Sequence, residues 1–313
     1  MTETALSVAF AGPHVSFQDG GRPGRMRFGV PQSGPMDRGA FAAANIAIGN
    51  PPDMAGIEIS LGGLTLDCVA GGIGFAVAGG GFIVDHAGEK RGSWGVSTLR
   101  AGERLIIRPG RWGSWCYLAL AGVPQVSRWL GSTSTHAISG FGGGRLVAGQ
   151  QLVATDSRWM PSREIPCPIS ARPKAGVRVT MGPQQRFFAP DALEAFVQGP
   201  WRMTDAGDRM GVRLAGPSIA PQAQLDMPSE PIMRGSVQVA GDGVATVLLA
   251  DHQTTGGYPK IATVLDCDLD GFAQLRPRDP VAFHPVTAEA AISIARTAAR
   301  SSAIYRNAIA PNQ

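Results

Sequence analysis

Leu99-Arg100-Ala101-Gly102-Glu103-Arg104-Leu105-Ile106-Ile107-Arg108-Pro109 returns 176 residues later as Leu275-Arg276-Pro277-Arg278-Asp279-Pro280-Val281-Ala282-Phe283-His284-Pro285. Three shorter matches keep the same order. Gly29-Val30-x-x-x-Gly34-Pro35 recurs as Gly211-Val212-x-x-x-Gly216-Pro217, at an offset of 182. Glu58 and Gly63 recur as Glu230 and Gly235 at 172, and Val69-Ala70-Gly71 as Val239-Ala240-Gly241 at 170. One such match is chance in a Gly-rich chain; four in order at a near-constant offset indicate two copies of one β unit. The period is too long for a solenoid and fits two tandem domains. The polar, Pro-rich segment 156–174 reads as their linker, so the expected domains are 1–160 and 161–313. Antiparallel units of this size hide their sheet edges by closing into barrels.

Composition agrees. The chain has 313 residues, 44% of them hydrophobic, enough for one large core or two ordinary ones. Its 42 glycines and 24 prolines sit among Val, Ile and Leu, the mark of short strands and tight turns. Strand-like runs include 75–77, Arg104–Arg108, Cys116–Leu120, 176–180, 245–249 and 261–265. Helix signals are few. Asp37 is placed to cap 38–48 with Gly49 as its stop, Pro190 to open 191–197, and Thr287 to cap a helix through Ala299. The expected class is mainly β with a few short helices.

The net charge of +4 is spread without runs, which excludes a surface that tracks nucleic-acid phosphates. The opening Met1-Thr2-Glu3-Thr4 lacks the pattern of a secretory signal, and the most apolar stretch, 71–84, is too short for a membrane span. Cys68, Cys116, Cys167 and Cys267 lie far apart, as free thiols do in a reducing compartment. A cytoplasmic protein is expected, with neither nucleic acid nor membrane as partner.

No GxxxxGK[ST], HExxH or GxSxG motif is present, and the five histidines show no metal-ligand spacing. No metal is expected, and nucleotide chemistry is expected on another chain. Three polar clusters remain. The first is Gln18-Asp19-Gly20-Gly21-Arg22, followed by Gln32-Ser33-Gly34-Pro35-Met36-Asp37. It reads either as a carboxylate and a guanidinium presented to a polar ligand, or as a turn at Asp19-Gly20; Asp37 reads as a helix cap. The second is Asp208-Arg209-Met210-Gly211, either a buried ion pair or an arginine offered to a substrate carboxylate or acyl oxygen. The third is Asp251-His252-Gln253-Thr254-Thr255-Gly256-Gly257-Tyr258-Pro259-Lys260. Thr255 to Tyr258 is expected to form a hairpin turn joining the flanking strands, with positive φ at both glycines. Successive Gly amides there would make an anion nest, crowded by donors from Thr254, Thr255, Tyr258 and Lys260.

FQDGGRPG (17–24), GVPQSGPMD (29–37), AAANIAIGN (42–50), IEISLGG (57–63), LALAG (118–122), LGSTST (130–135), MGPQ (181–184), DRMGVRL (208–214) and QTTGGYPKIATV (253–264) follow one another in order. In these the chain resembles the allophanate hydrolase subunit 2 family, also described as biotin-dependent carboxyltransferase-like. Its members include the C component of bacterial 5-oxoprolinase, part of the carboxyltransferase region of urea carboxylase, and an antagonist of a sporulation kinase inhibitor. The resemblance implies two cyclophilin-like β-barrel domains. It implies a companion similar to allophanate hydrolase subunit 1 (the B component of 5-oxoprolinase) and a further A component. It also implies ATP-dependent hydrolysis of 5-oxo-L-proline to L-glutamate, with ATP bound through the complex. Two alternatives stay open: a carboxyltransferase component of urea amidolyase type, needing biotin from a separate carrier, and a regulatory binding protein without chemistry. The chain departs from the family pattern at Val123, Ala240 and Ala245 and in a short 140–145 segment.

For lactam opening, the three clusters are expected to meet at one groove. Thr255, the Gly256 and Gly257 amides and Lys260 would polarise the carbonyl, and Asp19 or Asp208 would carry the proton. Arg22 or Arg209 would hold the substrate carboxylate, with Gln18, Ser33, Gln253, Thr254 and Tyr258 completing the binding surface.

Overall fold

The computed structural model describes residues 3–222 and 227–311. The chain packs as two units: Met1–Arg22, Ser33–Arg172 and Ser302–Gln313 form the first, Pro23–Gln32 and Pro173–Ser301 the second. The mainly-β expectation is met in both.

In the first unit a seven-stranded sheet runs in the order Val123–Pro124, Gln151–Thr155, Thr4–Ala11, Leu64–Ala70, Arg104–Arg108, Ile83–His86, Glu89–Gly92. A six-stranded sheet runs Arg163–Glu164, Gly95–Arg100, Gly72–Ala78, Cys116–Leu120, Gly56–Ile59, Ser16–Gln18. The two share one core, to which the first sheet contributes Leu6, Leu66 and Ile107 and the second Phe17, Phe75, Val77 and Leu118. Leu64–Ala70 alternates inward and outward residues, whereas Gly72–Ala78 and Cys116–Leu120 are buried throughout. The difference lies in helix Arg38–Ala47, which packs on those two strands and covers their outer face. Its buried alanines, Ala40, Ala43, Ala44 and Ala47, permit that close approach. Asp37 caps it as read from the sequence, its carboxylate accepting from the Ala40 amide at 2.8 Å.

The second unit is a closed barrel: Gly176–Met181, Lys260–Val264, Ser236–Val239, Ala245–Leu248, Gly211–Ala215, Trp201–Gly207 and Pro280–Pro285, which returns to Gly176–Met181 as the one parallel pair. Val177, Val179, Val237, Val247 and Phe283 point inward. Helix Pro190–Gln198 closes one end, with Phe196 stacked on Phe283 at 4.4 Å. Helix Asp266–Ala273 escaped the sequence reading because it is short and contains Gly271. Thr287 caps the last helix, which runs on past Ala299 to Ile309, since no Gly or Pro interrupts it before Pro311.

The repeated stretch is a real structural repeat at its turn. The Arg100 amide donates to Glu103 Oε2 and the Arg276 amide to Asp279 Oδ2, each at 2.8 Å. Both turns put their third residue in the left-handed region, Gly102 at φ 85° and Arg278 at 74°. The match of Gly29 with Gly211 is not structural: Gly29 ends a 3-10 turn and Gly211 opens a strand.

The hairpin expected at Thr255–Tyr258 is corrected. Ala245–Leu248 and Lys260–Val264 do not pair, because Ser236–Val239 lies between them and pairs with both. Residues 249–259 are therefore a crossover, in which Thr255–Gly256 pairs with Glu230–Pro231 as a separate two-stranded ladder.

Asp268 anchors helix Asp266–Ala273 to the barrel. It is fully buried and accepts from the Arg178 amide at 2.9 Å, Arg178 Nε at 2.8 Å, and Lys174. Burial pushes its carboxyl up, but the bonds from Arg178 and Lys174 outweigh this and hold it below the usual aspartate range. Asp268→Ala is expected to cost about 2–3 kcal/mol in denaturant unfolding, toward the low side because Arg178 and Lys174 stay partly hydrated. Because the folded-state pKa is depressed, that difference between wild type and variant should be constant above about pH 5. It should shrink as pH falls below about 4, which chemical unfolding at several pH values would measure.

Candidate functional site

Lys260 opens its barrel strand, and its backbone is pinned by Gln184: its amide donates to Gln184 Oε1 at 2.8 Å and its carbonyl accepts from the Gln184 amide at 3.1 Å. The side chain is 3% exposed. Among the described residues its ammonium has no hydrogen-bond partner; the nearest acid, Glu230, stands 3.6 Å away. Glu230 is itself half-buried and accepts from the Gln184 amide side chain. A buried ammonium with unmet donors is expensive to the fold, so the position asks for an oxygen-bearing ligand.

Gln238 is the strand neighbour of Lys260, and its Oε1 accepts from Gln253 Nε2 at 3.2 Å. Gly256 packs against both amides: a Cβ there would stand 2.6 Å from Ile232 Cδ1, 3.0 Å from Gln238 Nε2 and 3.6 Å from Gln253 Nε2. Close approach is thus why Gly256 is glycine. Neither Gly256 nor Gly257 has the left-handed φ that an amide nest needs, so the expected nest is absent. Gln238, Gln253 and Tyr258 instead share with Asp208 the wall of a pocket of about 470 Å³. The second and third sequence clusters therefore do meet within the barrel unit.

Arg209 is what joins them, although it does not face the pocket. Its Nε and Nη2 grip both carboxylate oxygens of Asp251, at 2.9 and 3.1 Å, with both residues buried. Asp208 is not its partner; that carboxylate accepts from the Met210 amide at 2.7 Å and tightens the exposed turn before Gly211. Thr254 is engaged through its carbonyl, which accepts from the Ile232 amide at 3.0 Å, and Thr255 is exposed beside the Glu230 ladder.

The first cluster lies in the other unit and turns inward. Asp19 accepts from Ser132 Oγ at 2.5 Å, Thr133 N at 2.6 Å, Ser134 Oγ at 2.8 Å and Gly21 N at 2.9 Å. Burial raises its pKa, but those four donors prevail and hold it below the usual range. Arg22 is buried, donates to the Trp129 and Ser134 carbonyls and lies 4.8 Å over the Trp129 ring. Gln18 donates to Ser16 and to the Thr135 carbonyl. All three knit loop 129–135 rather than present groups to a ligand. Ser33 is buried at φ 57°, and its hydroxyl has no partner among the described residues.

Sequence reasoning missed Gln184, Glu230 and Gln238 as members of the Lys260 group. Gln184 ends the quoted MGPQ motif, and Glu230 was visible only as the echo of Glu58.

The chain is thus a mainly-β protein with a closed barrel, one strand of which opens on a buried lysine whose ammonium has no hydrogen-bond partner among the described residues. The family model "Carboxyltransferase domain, subdomain A and B" matches residues 28–285, and the chain belongs to that family. It is 32% identical to the C component of 5-oxoprolinase from Escherichia coli over 92% of this chain and 93% of that one. It is 29% identical to urea amidolyase of Saccharomyces cerevisiae over 93% of this chain but only 17% of that much longer one. The solved structure of TTHA0988 superposes with a TM-score of 0.80 at 34% identity, covering 91% of this chain and 56% of that one. No helix among the described residues is long and apolar enough to cross a membrane.

Arg209 and Lys260, both buried in the barrel unit, should respond oppositely to removal. Arg209→Ala strands the Asp251 carboxylate and is expected to cost about 3–5 kcal/mol in urea unfolding. Lys260→Met keeps the volume and removes an uncompensated charge, so its melting temperature should fall by no more than about 3 °C, or rise. A large loss with Lys260→Met would make that lysine a structural residue.

Proposed function

We propose that the chain is the C component of a 5-oxoprolinase-type complex, which opens the amide ring of 5-oxo-L-proline to L-glutamate with ATP. It would work beside a B component similar to allophanate hydrolase subunit 1 and a further A component, in the cytoplasm. What supports this reading is sequence similarity: the chain is 32% identical to the C component of 5-oxoprolinase over 93% of that protein, against 29% to urea amidolyase.

The Lys260 group suits lactam opening. Water adds to the ring carbonyl, the C–N bond breaks, and the nitrogen leaves with a proton. The Lys260 ammonium would donate to the carbonyl oxygen as it gains charge, in a site dry enough for that bond to count. Glu230, 3.6 Å from the ammonium and partly open to solvent, would take the proton from water and return it to the nitrogen. It replaces Asp19, whose oxygens are taken by donors from Gly21, Ser132, Thr133 and Ser134, and Asp208, which holds its own turn. Thr255 pairs with Pro231, the residue after Glu230, across the two-stranded ladder, and the Gln238 and Gln253 amides are left to meet the substrate carboxylate, since Arg209 is committed to Asp251. Gly256-Gly257 forms no anion nest, and ATP would be bound by a partner component of the complex.

The assembled complex, made by co-expression with its A and B partner components, should release glutamate from 5-oxoproline with ATP consumption, and the isolated chain should not. Lys260→Ala and Glu230→Gln should each lower turnover by about 10²-fold while the complex still assembles, with Thr255→Ala and Asp208→Asn impairing it less. Wild-type turnover in Lys260→Ala and Glu230→Gln refutes this site. Activity seen only with a biotinylated carrier identifies a carboxyltransferase instead, and assembly with a kinase regulator but no turnover identifies a binding protein.

A further inference from the structure

The first unit holds a larger cleft than the barrel does, and nothing in the proposed reaction uses it. The seven-stranded sheet ends at Glu89–Gly92 and the six-stranded sheet at Arg163–Glu164, so each sheet has an unpaired edge. A space of about 840 Å³ is lined by residues of both edges, and Arg91 Nη1 on one donates to Ser162 Oγ beside the other at 2.8 Å. The volume suits a ligand of drug or nucleotide size.

Its walls carry two chemistries. The inner lining is apolar and largely aromatic: Phe75, Val77, Phe82, Trp94 and Val96. The rim is basic, with five arginines and His86 against Glu89 and Glu164. Three of the arginines are already committed: Arg91 to Glu89, Arg100 to Glu103, and Arg163 to the Ala47 and Ile309 carbonyls. Arg111 and Arg172 form no ion pair among the described residues, and they flank Trp112, with the Arg172 guanidinium 4.4 Å over its ring. That stacking fixes one guanidinium plane, and the Arg172 N–H edge, which also faces the Cys167 thiol, forms no ion pair with an acid among the described residues.

We propose that this cleft binds an aromatic anion, its flat ring on the apolar lining and its carboxylate or phosphate held by Arg111 and Arg172. The inference is independent of the Lys260 site and of the reaction proposed there.

Calorimetric titration of the full chain with 2-naphthoate, with AMP and with uncharged 2-naphthalenemethanol tests it, the first two separating a carboxylate from a phosphate ligand. At least one anion should bind one-to-one, and at least about tenfold tighter than the alcohol. The double change Arg111→Ala with Arg172→Ala should weaken that binding at least tenfold. Gly92→Trp should abolish it: a Cβ at Gly92 meets nothing within 4 Å, so an indole there fills the cleft without a clash at its root. Melting curves would establish that each variant folds, and glutamine at both arginines serves if alanine does not. Failure of both anions to bind, binding no tighter than the alcohol, or unchanged affinity in either variant overturns the proposal.

Discussion

Asp251 is sealed from water, and the Arg209 guanidinium that meets both of its oxygens is sealed with it. Taking two such charges out of water is costly, and only a bidentate geometry with further hydrogen bonds recovers it. Here the backbone supplies the rest: the Asp251 amide donates to the Arg209 carbonyl at 2.7 Å and the Leu249 amide to the Met210 carbonyl at 2.9 Å. The crossover 249–259 is thereby fastened to the start of Gly211–Ala215. Once it is fastened, Gln253 must reach Gln238, Gly256 must pair with Glu230, and Lys260 must enter its strand beside Gln184.

The first unit uses the same device with a single acid. Asp19 gathers Ser132, Thr133 and Ser134 about one carboxylate, and Arg22 closes the loop from the other side through the Trp129 and Ser134 carbonyls. In both units an acid buried or half-buried is matched by donors aimed at it. Lys260 differs: its ammonium is as buried as Arg209, yet among the described residues it has no hydrogen-bond partner and only a carboxylate 3.6 Å away.

Much of this was legible in the chain. Asp37, Pro190 and Thr287 marked helix starts because capping is local chemistry, settled within four residues. Arg104–Arg108 and Cys116–Leu120 were read to their ends, since each is a short apolar run bounded by turn residues. The site was legible only as ingredients. Thr255-Gly256-Gly257-Tyr258 has the composition of a hairpin turn, and nothing local says that a third strand lies between its flanks. Asp208-Arg209 reads as a pair, yet the Asp208 carboxylate turns back onto the Met210 amide of its own turn, and Arg209 finds Asp251 forty-two positions later.

The sequence by itself determined the class and the family, because hydrophobic patterning, turn residues and motif order are written along the chain and need no third dimension. Tertiary structure alone decided which polar residues have partners within the fold and which are left short of one. Asp19, Arg22 and Arg209 looked available and are engaged within the fold, while Lys260, Glu230 and Gln184 come together from positions up to seventy-six residues apart. The physical reason is that a charged group's role depends on what else has been buried around it. Barrel closure fixes that environment by bringing together strands that are remote in sequence.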